Sequence, residues 1–263
     1  MLIDSHCHLD FPALAKDAGV VSRARAAGVS GFLTICTRLD KFDGVRAAAA
    51  QADDIWCTVG VHPHEASGSP KADAEKLAAM SDDPKVVGFG ETGLDFYYDH
   101  SPRDAQAENF RVHIAAAQKT GLPVVIHTRD ADEVTDAMLR QAVAEKPFGG
   151  VLHCFSSGEA LARTALELGL YISISGIVTF KTADALRDIV RWFPVERMLV
   201  ETDAPFLAPM PHRGKTCEPA HVALTAAKVA EIKGMSVDAL ARHTTENFFR
   251  LFPKAQFPKA GRT

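Results

Sequence analysis

Eight short apolar runs, separated by alanine-rich segments of helical character, limit what this chain can fold into more than any other feature. The runs cover residues 2–6, 31–36, 56–61, 86–91, 123–127, 150–153, 171–175 and 198–201. The segments at 20–27, 42–51, 72–79, 103–120, 131–144, 158–168 and 183–193 read as helices, and two more follow at 219–232 and 237–252. Several end at glycine, as at Gly28, Gly121 and Gly169, where a left-handed residue carries no steric penalty. Strands alternating with helices pair in parallel through right-handed crossovers. Eight such units in about 250 residues match an α/β fold of the TIM (β/α)8 barrel type. The runs are almost uninterrupted in apolar character, as expected of strands covered on both faces. A doubly wound open sheet is the rival, but it places its ligand crevice at a single switch point. The expectation is one barrel domain over 1–252, followed by a short frayed tail over 253–263.

Polar residues stand at the C-terminal end of most runs, which favours the closed ring. The first run leads into His6-Cys7-His8 and the third into His62-Pro63-His64. The fourth ends in Glu91-Thr92-Gly93-Leu94-Asp95, the fifth in His127-Thr128-Arg129-Asp130, the sixth in His153 and the eighth in Glu201-Thr202-Asp203. Side chains at i and i+2 of a strand face the same way, so His6 and His8 can aim at one point while Cys7 turns aside. Taken singly, His127 reads as a satisfied core or loop histidine and Asp203 as a turn residue. In a (β/α)8 barrel, however, all of these strand ends share one rim, where active sites of this fold lie.

Composition narrows the field without choosing a function. The net charge of −4 provides no global basic field for nucleic acid, so any phosphate contact must be local. The five cysteines are odd in number and widely spaced, which reads as reduced core thiols. No basic-then-apolar leader and no apolar run of membrane-spanning length is present, and the expected location is the cytoplasm. The oligomeric state is left open and a monomer fits.

Two carboxylates about 4 Å apart repel by roughly 4 kcal/mol at an effective dielectric of 20. Divalent cations remove that conflict, and imidazole with carboxylate is a donor set that such ions accept. Six side chains exceed what one tetrahedral ion uses, whereas a bridging carboxylate between two ions would use them all. The expected arrangement gives His6, His8 and Asp203 to one ion and His127 and His153 to the other, with Glu91 shared. Asp203 then serves as proton acceptor, so Glu91 and Asp203 are the expected catalytic carboxylates. No Gly-x-Ser-x-Gly elbow or Ser-His-Asp order suggests covalent catalysis. Gly88-Phe89-Gly90 is too short for a phosphate loop and reads as tight packing beside Glu91.

The stretches His6-Cys7-His8-Leu9-Asp10, Gly60-Val61-His62-Pro63, Gly90-Glu91-Thr92-Gly93-Leu94-Asp95, His127-Thr128-Arg129-Asp130-Ala131, Leu152-His153-Cys154-Phe155 and Glu201-Thr202-Asp203-Ala204-Pro205 together resemble the TatD family of metal-dependent hydrolases. The resemblance covers nearly the whole chain. It implies a barrel of the amidohydrolase type, two divalent metal ions (zinc, manganese or magnesium) and hydrolysis of phosphodiesters, described in the family as deoxyribonuclease or 3′–5′ exonuclease activity. It also implies metal ligands at His6, His8, Glu91, His127, His153 and Asp203. The expected substrates are nucleic-acid ends or small phosphoesters.

For the substrate side, His62 is expected near the reacting oxygens, Arg129, Arg213 and Lys215 near phosphate, and His64 in a loop. Tyr97 and Tyr98 could present faces to a base or pack their own loop. Hydrolysis of another ester or amide on the same barrel, for example an aminoacyl ester, is the alternative, and a non-catalytic module with a leftover metal site is a third reading.

Overall fold

The computed structural model of the chain describes residues 1–68 and 71–256. Eight strands run β1 Leu2–Cys7, β2 Val29–Thr34, β3 Ile55–Val59, β4 Val86–Asp95, β5 Val124–Arg129, β6 Gly150–Leu152, β7 Tyr171–Ile174 and β8 Met198–Val200. They pair in sequence order, and every pair is parallel. The ring closes between the last strand and the first. Cys7 bridges to Ala204, His8 N–H donates to Ala204 O at 2.8 Å, and Asp203 N–H donates to His6 O at 2.9 Å. This is the expected TIM barrel.

The helices are α1 Pro12–Ala15, α2 Val20–Ala26, α3 Phe42–Ala49, α4 Ala74–Met80, α5 Arg103–Thr120, α6 Asp132–Glu145, α7 Glu159–Glu167, α8 Asp184–Trp192, α9 Val222–Lys233 and α10 Val237–Leu251. The segment expected to be helical from residue 219 opens instead as a 3-10 turn, Pro219–His221, before α9. Among the described residues, no helix is long and apolar enough to cross a membrane. All five cysteines are free thiols.

The inside of the barrel is an apolar plug. Ile3, Leu33, Trp56, Val87, Val125, Val151, Tyr171 and Leu199 contribute one buried residue from each strand, and α10 seals them with Phe248 and Leu251. The tail is a partial correction to the expectation. Residues 257–263 lie outside the described residues, but Ala255 is buried and Lys254 donates to the carbonyls of Ser81 and Asp83. Its first residues are therefore packed against the barrel rather than frayed.

Two local irregularities prepare the mouth. Ile3 belongs to the barrel plug and Ser5 Oγ lies 3.0 Å from Ser173 Oγ, so the odd residues of β1 start out facing inward. The register then slips between Asp4 and Cys7, so that Cys7 Sγ reaches Leu33 O outside while His6 and His8 face the mouth. A regular strand would have sent the histidines outward, because a one-residue slip exchanges the two faces. The other irregularity lies in β4, which runs past Glu91 to Asp95 and slips against β5 between Phe89 and Thr92. Glycine is needed there: Gly93 has φ +135°, and a Cβ at that position would lie 2.0 Å from His127 O.

A polar stripe on α5 holds these strand ends in place. Gln106, Asn109 and His113 are buried at helical spacing on its inner face. Gln106 accepts from Asp95 N–H at 2.7 Å and donates to Asp95 O at 3.1 Å. Asn109 donates to Val61 O at 2.8 Å, while His113 Nε2 accepts from Val61 N–H at 3.1 Å. His113 Nδ1 is within 2.7 Å of Asn109 O, so the neutral ring with its proton on Nδ1 satisfies both neighbours. Both polar groups of Val61, the residue before His62, are thereby fixed.

This stripe has a pH consequence. Burial lowers the His113 pKa from 6.5 to about 4. A group depressed in the folded state contributes stability that is complete above its unfolded pKa and lost as pH falls toward its folded one. In urea unfolding at pH 7 and pH 4, the wild type is expected to lose up to about 3 kcal/mol more than His113→Gln, which keeps a donor and an acceptor but does not titrate. Equal losses would show that His113 is not protonated against its fold.

Candidate metal centre

Glu91 sits at the centre of the mouth because its backbone is carried there. Its N–H donates to Cys36 O at 2.8 Å, reaching across β3 to the end of β2. The preceding carbonyl of Gly90 accepts from Thr58 Oγ1 at 2.6 Å, and Thr58 Oγ1 in turn accepts from Cys36 N–H at 3.1 Å. Gly60 and Gly90 lie so close that a Cβ on Gly60 would meet Gly90 Cα at 2.5 Å. The tight packing expected around Gly88-Phe89-Gly90 is what the structure shows.

The two oxygens of Glu91 face two different groups. Oε2 lies 3.3 Å from His6 Nε2. Oε1 lies 2.7 Å from His153 Nε2, 3.0 Å from His127 Nδ1 and 3.3 Å from His62 Nε2. Beyond Oε2, Asp203 Oδ1 stands 3.5 Å from His6 Nε2 and 3.3 Å from His8 Nε2. The six expected ligands therefore meet in one place, with His6 on the Oε2 side beside His8 and Asp203, and His127 and His153 on the Oε1 side. Ligand atoms also gather within 4.8 Å in three overlapping sets: His6, His8 and Asp203; His6, His153 and Glu201; and His62, Glu91 and His127.

Charge explains the state of each group. Burial alone would push Glu91 up, but the imidazoles of His153, His62 and His127 outweigh it and hold the carboxyl well below its ordinary value. Burial likewise pulls His153 down, and the Glu91 and Glu201 carboxylates together raise it well above the usual imidazole range. Burial would raise Asp203, yet His8 and His6 hold it low. His6 goes the other way: burial, then His153, lower it. Its ring is fully buried, and among the described residues neither nitrogen has a hydrogen-bond partner. Buried polar atoms are rarely left so. A neutral imidazole lodged beside two carboxylates fits a divalent cation, and the donor set of imidazole and carboxylate suits zinc or manganese.

His8, His153 and His127 are also oriented by their second nitrogens, as metal-binding histidines usually are. His8 Nδ1 is 3.3 Å from Ile35 O, which leaves Nε2 toward Asp203. His153 Nδ1 is 3.4 Å from Glu201 Oε1, which leaves Nε2 toward Glu91. His127 is reversed: Nε2 lies 3.1 Å from Asp95 Oδ2, and Nδ1 faces Glu91. His62 differs in kind. Its Nδ1 accepts from His64 N–H at 3.1 Å, so its Nε2 carries the proton and points into the site as a donor. Burial lowers its pKa to about 4, which keeps the ring neutral.

Asp95, Glu201 and His64 were not among the expected site residues. Asp95 shares the Glu91 face of an extended strand at i+4, a signal available in the sequence. His64, expected as a loop residue, lines the cavity with its Nε2 2.9 Å from Asp95 Oδ2. The cavity above the histidines measures about 540 Å³, and His62, Arg129 and Asp203 are on its wall. Arg213 and Lys215 are not on that wall. Arg213 lies over the Phe180 ring at 4.5 Å, and both side chains are exposed on the loop after β8. Both therefore stand on the exposed surface outside the cavity wall.

Asp95 offers a test of the orienting role. Burial would raise it, but His127, the Tyr98 peptide and His64 hold it well below the carboxylate range. Its Oδ1 accepts from Tyr97 and Tyr98 N–H at 3.1 and 3.0 Å, bonds that an asparagine oxygen can keep. Asp95→Asn is expected to weaken divalent-metal affinity about 10–100-fold in a chelator competition, with unchanged circular dichroism. Unaltered affinity would refute the orienting role.

Known proteins with this pattern place the chain in a family. The family model described as TatD related DNase matches residues 3–253. YcfH of Escherichia coli K12, an uncharacterized metal-dependent hydrolase, is 44% identical over 255 residues, which cover 95% of each chain. The 3′-5′ ssDNA/RNA exonuclease TatD of Enterobacter lignolyticus is 37% identical over 257 residues, 95% of this chain and 98% of the relative. The crystal structure of YjjV, a TatD homologue from Escherichia coli K12, superposes with a TM-score of 0.87 at 29% identity, covering 96% of this chain and 98% of that one. A barrel mouth with this donor set, together with a match over nearly the full length, leads to one conclusion: the chain belongs to the TatD-related DNase family, a family of metal-dependent hydrolases.

Proposed function

We propose that the protein hydrolyses phosphodiester bonds at nucleic-acid ends, as a 3′–5′ exonuclease that uses two divalent ions held by His6, His8, Glu91, His127, His153 and Asp203. The observation that carries the reading is the division of Glu91, with one oxygen toward the His6 group and the other toward His127 and His153. Support for the substrate comes from the Enterobacter relative, whose name specifies a 3′-5′ ssDNA/RNA exonuclease, and from Arg129 on the cavity wall. The cavity has room for a nucleotide-sized group.

Bound divalent ions would lower the pKa of water toward 7 and polarise the phosphoryl oxygens. The side chains do the rest. Asp203 is the more accessible of the two central carboxylates, its side chain 15% exposed against 4% for Glu91. Held low by His8 and His6, it is ionised at neutral pH and able to accept the proton of the attacking water. As the water oxygen bonds to phosphorus, the bond from phosphorus to the 3′ oxygen breaks, and Asp203 returns the proton to that oxygen. His62, neutral with its proton on Nε2, donates to a non-bridging phosphoryl oxygen.

The test uses metal-loaded protein and a single-stranded oligonucleotide labelled at its 5′ end. Stepwise shortening from the 3′ end is expected, stopped by chelator and restored by added metal. Glu91→Gln is expected to lose more activity than the 10–100-fold typical of a supporting residue, while keeping its fold. Near-normal turnover by that variant would refute the bridging role. An aminoacyl ester cleaved while oligonucleotides are left intact would move the protein to another ester.

A further inference from the structure

The rim of the cavity is chemically two-sided. Phe11 follows β1 and Phe206 follows β8, whereas Tyr97 and Tyr98 follow β4 and Arg129 ends β5. In a ring ordered β1 to β8, the β8–β1 seam lies half a turn from the β4–β5 pair. One bank is therefore apolar and aromatic, the opposite bank carries a cation, and the histidine and carboxylate floor lies between them.

The banks differ in which faces are free. Arg129 lies 4.1 Å from the Tyr97 ring centre and 4.7 Å from that of Tyr98, and Tyr98 also lies parallel to His100 with centres 5.5 Å apart. These tyrosines hold the guanidinium in place, each with one ring face turned to it. Arg129 is exposed on the wall, and among the described residues no carboxylate pairs with it. On the other bank Phe11 is stacked on His8 with centres 4.5 Å apart. Phe206 meets Phe11 and His8 only at steep angles, 88° and 73°, and is 51% exposed. Its place is fixed, because Phe206 N–H donates to Asp203 O at 2.9 Å. A large exposed aromatic with no parallel partner among the described residues, tied three residues from a central carboxylate, offers a stacking surface.

We propose that Phe206, backed by Phe11, stacks the unpaired base of the terminal nucleotide, while Arg129 on the tyrosine bank takes a neighbouring phosphate. This assigns base recognition to the β8–β1 side and rests on the phosphodiesterase reading above. A flat ring on one bank and an anion on the other, with a phosphodiester over the floor, is the layout of a single-stranded end. A paired base would have its partner strand against the rim.

The experiment compares two diesters with the same p-nitrophenolate leaving group, thymidine 5′-(p-nitrophenyl phosphate) and methyl p-nitrophenyl phosphate. Only the first has a base to stack. Phe206→Ala is expected to lower the preference for the thymidine substrate, as a ratio of kcat/KM values, by about 10-fold or more, chiefly through KM. Phe206→Trp is expected to keep the preference, and Phe206→Leu, which keeps apolar bulk without a π face, to lose most of it. Arg129→Gln is expected to reduce the salt dependence of KM for a thymidine trinucleotide by a slope of about 0.7, one phosphate contact. An unchanged preference in Phe206→Ala would overturn the stacking assignment while leaving the phosphodiesterase reading standing. Failure of the wild type on both diesters would defeat that reading and this one together.

Discussion

Burying a carboxylate among strand ends is unfavourable unless opposite charge surrounds it, and Glu91 is where this barrel meets that constraint. Its side chain is almost wholly covered, and His6, His62, His127 and His153 all lie within 3.3 Å of it. Three of those imidazoles are in turn set by a group behind them. Asp95 stands behind His127, Glu201 behind His153 and the His64 amide behind His62. Glu91 is thus a common point for side chains carried by β1, β5 and the segments that follow β3 and β6. The backbone irregularities follow from the same need: β1 changes face before His6, and β4 extends over its neighbours so that Glu91 can reach the centre.

The outer helices take part in this arrangement. A helix packed on a sheet usually buries an apolar stripe, and α5 buries Gln106, Asn109 and His113 beside its apolar Phe110, Ile114, Ala116 and Ala117. These groups bind the peptides of Asp95 and Val61, which precede or support site residues. The hydrogen bonds run from a rigid helix to strand termini, where backbone groups would otherwise lack partners. Precision at the mouth therefore comes from outside the barrel wall as well as from the plug beneath it.

Much of this was readable from the residues alone. Each of the eight apolar runs is a strand, and the polar residues that close them lie together on one rim, because parallel strands in a ring put all their C-terminal ends on one side. What escaped the sequence was whatever depends on local departures from regular geometry. The two-residue spacing of His6 and His8 was visible, but not the slip that turns them inward. The charges of Arg213 and Lys215 were visible, but not that both side chains stand outside the cavity wall. Tyr97 and Tyr98 read equally as faces for a base or as packing for their own loop, and the sequence does not show that Arg129 lies over both rings. The stripe on α5 was hidden because glutamine, asparagine and histidine on a helix normally read as solvent-facing.

The central claim is that Glu91 joins two cation sites, and anomalous diffraction from crystals soaked in manganese or zinc tests it most directly. The expected map shows two peaks, one contacting His6, His8 and Asp203 and the other contacting His127 and His153, with one oxygen of Glu91 on each. A single peak, or two peaks of which either leaves Glu91 untouched, would contradict it.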